Sequence, residues 1–328
     1  MTPLVQQYAE GTGGATGVGG GLGRRSSWHT VPVRIVVCGV RGSTPAPGGE
    51  FVRYGGHTSC LAIAHDGEVP SLVIDAGTGI RRASDMFGAA VDLFGGRPMD
   101  GTILLGHLHW DHVQGLPFFA AGNTAGSHVE VYSPVQAATE EALKGFMSPP
   151  YFPISAGELL GTWTFLGIEE GAHEIGGFSV VAREIPHSPG RTFGYRISDG
   201  GATVAYLSDH CPTELGPGRD GLGEIHDAAL ELALGCDVLF HDAQYTDDEL
   251  PARARFGHAS CGYAVALGQA ANAGEVVLFH HDPGRVDDEI DAIVASYAGA
   301  DIAVSAAAEG DVLDLPRRRG ARRARRRA

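Results

Sequence analysis

A chain of 328 residues, 43% hydrophobic and 19% charged, carries enough apolar material for a sizeable core within one layered domain. No apolar run approaches the roughly 18 to 20 residues that cross a bilayer, which excludes a membrane-spanning reading and makes a cytoplasmic setting the expectation. The formal charge is -15 although Arg317, Arg318, Arg319, Arg322, Arg323, Arg325, Arg326 and Arg327 crowd one end, so the body is acidic and a broad nucleic-acid-binding face is excluded.

Along the chain, residues 1–30 hold a Gly-rich run that cannot bury enough surface to offset ordering and are expected to be disordered. Residues 31–315 are expected to form the folded unit. Short β-branched runs predict strands at Val33 to Cys38, Ser71 to Ile74, Thr102 to Leu105, Val129 to Tyr132, Phe178 to Arg183, Thr203 to Leu207, Val238 to Phe240 and Val276 to Phe279. Helices are predicted over Pro134 to Phe146, Ile225 to Leu234, Ser260 to Ala271 and Asp287 to Ser296. Strands that are apolar throughout require cover on both faces, and the interleaved helices supply it, so the fold class is α/β with sheets between helical layers.

The stretch Met147 to Trp163 has too many prolines for a regular element and too many aromatics for a solvated loop. It predicts a lid or substrate wall, or else a packed surface segment. Residues 316–328 are expected to be a disordered Arg-rich tail. The five cysteines, widely spaced and odd in number, read as free buried thiols.

The chemistry concentrates after the strand ending at Leu105. His107, His109, Asp111 and His112 fall within six residues, and in an extended segment residues two apart face the same way. His107 and His109 can therefore meet one ion while Asp111 and His112 turn to a second. Imidazoles with a carboxylate suit Zn, Mn or Fe(II), and two divalent ions are a usual hydrolytic arrangement.

This hexad resembles the signature of the metallo-β-lactamase superfamily, and the likeness implies an αββα four-layer sandwich. Val73-Ile74-Asp75-Ala76-Gly77 is similar to the family's upstream Asp motif, His187 to its isolated histidine, Asp209 to its shared carboxylate and His280 to its final histidine. The resemblance implies one metal at His107, His109 and His187, a second at Asp111, His112 and His280, and Asp209 bridging them. Asp75 would orient a ligating imidazole by accepting its free N–H. His281 is the neighbouring alternative to His280, and strand-end placement favours His280.

Gly257-His258-Ala259-Ser260, opening a helix, and His241-Asp242-Ala243, closing a strand, resemble motifs of the phosphodiesterase branch, which includes the tRNA 3′-processing endonucleases and cyclic-phosphate diesterases. There the resemblance assigns His258 as proton donor and Asp242 as its acidic partner, in a position where Glu is usual. Expelling a sugar alkoxide requires such an acid, and a carboxylate neighbour favours charged imidazole. Only 21 residues, 188 to 208, separate His187 from Asp209, which argues against the long arm of tRNA-processing enzymes.

Arg41, Arg53 and Arg191 are candidate phosphate contacts. The reading is a two-metal phosphodiesterase acting on a nucleotide, cyclic nucleotide or related phosphodiester through a hydroxide held between the ions. An acyl hydrolase of lactones, thioesters or β-lactams is the alternative. The expected partner is a small phosphodiester, with no membrane. RNA held by the Arg-rich tail is the minor option, and a homo-oligomer is left open.

Overall fold

The computed structural model describes residues 33–315 apart from 66, 85–91, 137–138 and 200. The expectations for residues 1–30 and 316–328 lie outside the described residues.

The first sheet is built from β1 (Val33–Gly39), β2 (Cys60–His65), β3 (Leu72–Ile74), β4 (Asp100–Leu104), β5 (His128–Pro134) and β6 (Thr162–Ile168). The second contains β7 (Gly171–Ile175), β8 (Phe178–Ile185), β9 (Thr192–Ser198), β10 (Thr203–Leu207), β11 (Val238–Asp242), β12 (Glu275–Phe279) and β13 (Ala303–Ala306). A last strand, β14 (Val312–Leu315), crosses back to pair antiparallel with β1, closing the first sheet in the order β14-β1-β2-β3-β4-β5-β6. The second sheet runs β13-β12-β11-β10-β9-β8-β7. Pairing is parallel from β3 through β6 and from β10 through β13, so several strands of each sheet end at a common edge.

The alternation of side chains explains the layers. On β10, Val204 and Tyr206 point into the core between the sheets, while Ala205 and Leu207 point outward under helices. On β3, Leu72 and Ile74 face inward and Val73 outward. The inner layer also holds Phe178, Tyr195, Phe240 and Phe279, all essentially inaccessible. Each such side chain contributes roughly 1.5–3 kcal/mol by burial. Phe279→Ala would cost about 3–5 kcal/mol and unseat the residue that follows it.

Outside the first sheet lie α1 (Ile80–Ala83) and α3 (Thr139–Phe146). Outside the second lie α4 (Asp227–Ala233), α6 (Cys261–Ala270) and α7 (Asp287–Ser296). Two single-turn helices, α2 (Trp110–Val113) and α5 (Leu250–Arg253), belong to loops at the strand ends. The result is the αββα sandwich.

α7 matches the sequence expectation end to end, whereas the predicted helix from Pro134 begins only at Thr139 because Pro134 completes β5. The segment expected as a lid or wall is a packed surface segment. Phe152 meets Phe118 edge-on at 5.7 Å, Ser155 and Glu158 close a capping box, and Trp163 belongs to β6, where its indole N–H donates to the Gly122 carbonyl at 3.1 Å.

Candidate metal centre and active site

The chain turns sharply where its parallel strands end. Asp75 follows β3 at φ 57°, Asp209 stands just beyond β10 at φ 56°, and His280 follows β12 at φ 60°. Non-glycine residues occupy this left-handed region rarely, and held there they aim their side chains across the sheet edge rather than along the strand. The hexad arrives from β4: His109 is extended and precedes α2, whose first turn carries Asp111 and His112. His187 comes from the β8–β9 loop.

Four overlapping groups of donor atoms result among the described residues, two of them including His258, and the other two hold the seven expected ligands. His107, His109 and His187 place ring nitrogens within 4.8 Å of one another, and so do the donor atoms of Asp111, His112, Asp209 and His280. Asp209 faces both. Its Oδ1 is 3.6 Å from His187 Nε2, and its Oδ2 is 2.7 Å from His112 Nε2 and 3.2 Å from His280 Nε2. Thus all seven residues that the sequence singled out as ligands converge.

The donor set fits a pair of divalent cations on evidence of its own. Both ring nitrogens of His107 are buried without a hydrogen-bond partner, an arrangement that costs about 1–3 kcal/mol per group and that a cation taking the ring's one lone pair would offset in part. Burial also depresses the His107 pKa, which keeps that imidazole neutral and available to a cation. Burial opposes the charge on Asp111, yet His112 and His280 hold its carboxyl well below the usual range. Asp209 is held low in the same way, with His112 and His280 overcoming its burial. His187 Nε2 lies only 3.2 Å from His109 Nδ1, as expected of two rings sharing one electrophile.

The surroundings fix ring orientation. Asp75, fully buried, accepts from Gly106 N–H at 2.8 Å, from His112 Nδ1–H at 2.7 Å and from the Tyr206 hydroxyl at 2.5 Å. His187 Nδ1 donates to the Gly257 carbonyl at 2.6 Å, and His280 Nδ1 donates to Gln244 Oε1 at 3.0 Å. Gly42 is required beside that ring, since a Cβ there would stand 2.4 Å from His280. The pair His280 and His281 is resolved: His281 turns away, donating to the Ala307 carbonyl at 3.0 Å, and burial lowers its pKa to about 3.

His258 and Asp242 also meet. His258 Nδ1 lies 2.9 Å from Asp242 Oδ2 and 3.6 Å from Asp209 Oδ1. Burial pulls the imidazole down, but Asp242, then Asp209 and Asp111, outweigh it and raise its pKa to about 9. His258 does not cap the helix it precedes; Ser260 does, accepting from Tyr263 N–H at 3.2 Å. The shorter Asp reaches because the His210 and Gln244 backbone N–H groups, at 3.2 and 3.0 Å, clamp its carboxylate in place.

These groups open on a cavity of about 630 Å³. Ser43, Trp110, Gln244, Tyr245, Arg253 and Phe256 line it together with His109, Asp111, His187, Asp209 and His258. Sequence reasoning missed Gln244 and Arg253. Gln244 stands two residues beyond Asp242 at a strand end, which was a usable signal, whereas Arg253 sits in the basic run Arg253-Ala254-Arg255 with nothing local to aim it.

The three expected phosphate contacts are corrected, since none of them lines this cavity. Arg41 is wholly buried and donates to the carbonyls of Gly55 at 2.7 Å, Arg285 at 2.7 Å and Asp282 at 3.3 Å, with Asp287 at 3.7 Å. Arg53 is engaged by Asp288 and Asp291 at the surface. Arg191 is taken by Glu184 at 2.9 Å, Glu169 at 3.2 Å and the Val135 carbonyl at 2.8 Å. Each cation is held by nearby carboxylates or carbonyls away from the cavity.

Two helix-covered sheets whose strand ends converge on seven histidine and aspartate side chains, in clusters compatible with a pair of cations, define the class, a metal-dependent hydrolase fold. The Beta-lactamase superfamily domain matches residues 71–281, and the chain belongs to that family, the metallo-β-lactamase superfamily of metal-dependent hydrolases. It is similar to Ribonuclease Z of Listeria welshimeri, 27% identical over 221 residues that span 54% of this chain and 69% of that protein. Among solved structures, the metallo-beta-lactamase fold protein YhfI from Bacillus subtilis superposes with a TM-score of 0.60 at 20% identity, covering 86% of this chain and 99% of that one. A diphosphatase from the PhnP family gives 0.59 at 18% identity, covering 87% and 100%. These two likenesses bear on the fold.

Proposed function

We propose that this protein is a zinc-dependent phosphodiesterase whose substrate is a nucleotide, a cyclic nucleotide or a related small phosphodiester. The observation that carries the reading is the His258 and Asp242 pair, 2.9 Å apart beside Asp209 at the cavity wall. Two divalent ions held by His107, His109, His187, Asp111, His112, His280 and the shared Asp209 would, when bound, activate water and offset charge on the phosphoryl group. Neutral imidazoles combined with carboxylates suit Zn, with Mn or Fe as substitutes. Five free buried cysteines fit a reducing compartment such as the cytoplasm.

Within that frame the side chains divide the work. Asp242 accepts from Nδ1 of His258 and keeps the ring charged, which leaves Nε2 as the proton donor to a departing alkoxide. A thiolate leaves without such help, so thioester hydrolysis would leave the pair idle. The Ribonuclease Z relatives support the same choice.

The test is His258→Ala assayed on two diesters. Turnover of an alkyl or ribose ester should fall about 10²- to 10⁴-fold while a nitrophenyl ester, whose leaving group needs no proton, changes little. Equal losses on both would remove His258 as the acid, and faster turnover of a thioester or lactone than of any diester would replace the reading with acyl hydrolysis.

A further inference from the structure

The general acid must stand beside the group that leaves, so whatever lies on the same stretch of chain as His258 faces that group. Residues 243–257, which join Asp242 to His258, bring to the cavity one cation and an exposed aromatic ring. We infer that Arg253 and Phe256 form a leaving-group subsite for a nucleotide, Phe256 stacking on its base and Arg253 holding a phosphate other than the scissile one. This rests on the phosphodiesterase reading.

Arg253 is the lone lysine or arginine among the described residues that line the cavity. Its guanidinium lies over the Tyr245 ring, 5.4 Å from the centroid, and NH1 donates to Asp282 Oδ2 at 2.7 Å. Nε and NH2 have no protein partner among the described residues, and the side chain is 41% exposed. A guanidinium pinned along one edge and stacked on a ring keeps its other edge oriented for a bidentate anion, with little side-chain freedom left to lose. The contrast with Arg41, Arg53 and Arg191 is direct, because Arg41 is wholly buried away from the cavity and the other two are engaged by carboxylates outside it.

Phe256 is 54% exposed although it lines the mouth of a cavity, and Arg255 lies over the ring at 4.9 Å from its centroid. A planar apolar face left open beside a cation is a platform for a base. The platform is tied to the metal cluster through Gly257, whose carbonyl accepts from His187 Nδ1 at 2.6 Å and whose φ of 87° sets the turn into His258. The other exposed aromatic lining the cavity, Trp110, stands between His109 and Asp111 on the hexad rather than on the stretch that carries His258.

Three diesters of thymidine 3′-phosphate test the assignment, their second ester group being methyl, 5′-linked thymidine, or 5′-linked thymidine bearing a 3′-phosphate. The three alkoxides are alike in basicity, so differences in kcat/KM report contacts. For the wild-type protein kcat/KM should rise about tenfold at each step, the first from stacking and the second from a charge-assisted hydrogen bond.

Phe256→Ala should abolish the first gain and Arg253→Gln the second, with Arg253→Lys keeping part of it. Trp110→Ala should leave both ratios in place. Thermal melts and metal content establish that each variant is folded and loaded, and Phe256→Leu replaces any alanine variant that is not. Flat ratios in a wild-type protein that hydrolyses bis(p-nitrophenyl) phosphate overturn the subsite alone, as do gains that survive both substitutions. No turnover of any diester overturns the phosphodiesterase reading and the subsite with it.

Discussion

Replacing Asp75 with Asn probes the metal centre through a single proton. A carboxylate can only accept, so His112 carries a hydrogen on Nδ1, 2.7 Å from Asp75 Oδ2; without a metal, Asp209, Asp111 and Asp75 overcome burial and keep the ring charged, and a cation taking the place of the second proton would meet the lone pair of Nε2, 2.7 Å from Asp209 Oδ2. Asn fills the same volume and tolerates the left-handed backbone at φ 57°, so the fold survives. Its amide oxygen is needed by the Gly106 N–H at 2.8 Å, which turns the amide N–H groups toward His112 and Tyr206. The imidazole then accepts at Nδ1, carries its proton on Nε2, and presents a hydrogen where the cation requires a lone pair.

Loss of a carboxylate that orients a ligating histidine lowers metal affinity about 10- to 100-fold, equivalent to about 1.4–2.7 kcal/mol. The flipped amide, with donors facing donors in the alternative pose, costs the metal-free fold about 1–3 kcal/mol. Calorimetric titration of chelator-treated protein with zinc reads the first quantity, and thermal melting of the same sample reads the second. Wild-type affinity in Asp75→Asn, with an undiminished Tm, would refute the tautomer argument.

The pH dependence follows from His258. Its pKa stands at about 9 in the metal-free protein because Asp242, then Asp209 and Asp111, overcome burial; cations on the latter two carboxylates would remove their share, so turnover of alkyl diesters should decline at a pH below 9 and Asp242→Asn should shift that decline further downward. The same raised pKa stabilises the metal-free fold fully below about 6.5 and ceases to as pH rises through about 9, so Tm should fall across that window in the wild type and stay flatter in Asp242→Asn. His280→Ala should lose metal stoichiometry, whereas His281→Ala should keep it and lower Tm by leaving the Ala307 carbonyl unpaired; metal analysis of both variants decides between the two rings. Arg41→Met should cost about 3–5 kcal/mol of stability, read by urea unfolding, without raising KM; a raised KM at unchanged stability would return Arg41 to substrate binding.

The legible parts of this protein were local or strictly ordered along the chain. The hexad announces itself because an extended run places alternate side chains together without help from distant residues. The strand ending at Leu207 and the helix over Asp287–Ser296 declared themselves by periodicity. Strands β2, β6, β7, β9, β13 and β14 went unread: β6 was absorbed into the aromatic segment, and β13 and β14 are four-residue strands whose only support is a partner elsewhere in the chain.

Charge was the least legible property. A lone arginine near a glycine turn looks the same whether it will meet a phosphate or a carbonyl. Arg41 and Arg191 were read as the former and are the latter, while Arg253 went unnoticed.

By itself, then, the sequence determined which donor atoms exist and the strand-end stretches that carry them, because metal-ligating chemistry is written in residue types and short spacings. Only the tertiary structure decided where each one points: that His280 enters the centre and His281 leaves it, that Asp242 reaches His258, and which arginine lines the cavity. Direction depends on backbone turns and on partners contributed from up to 280 residues away, and those are settled by packing.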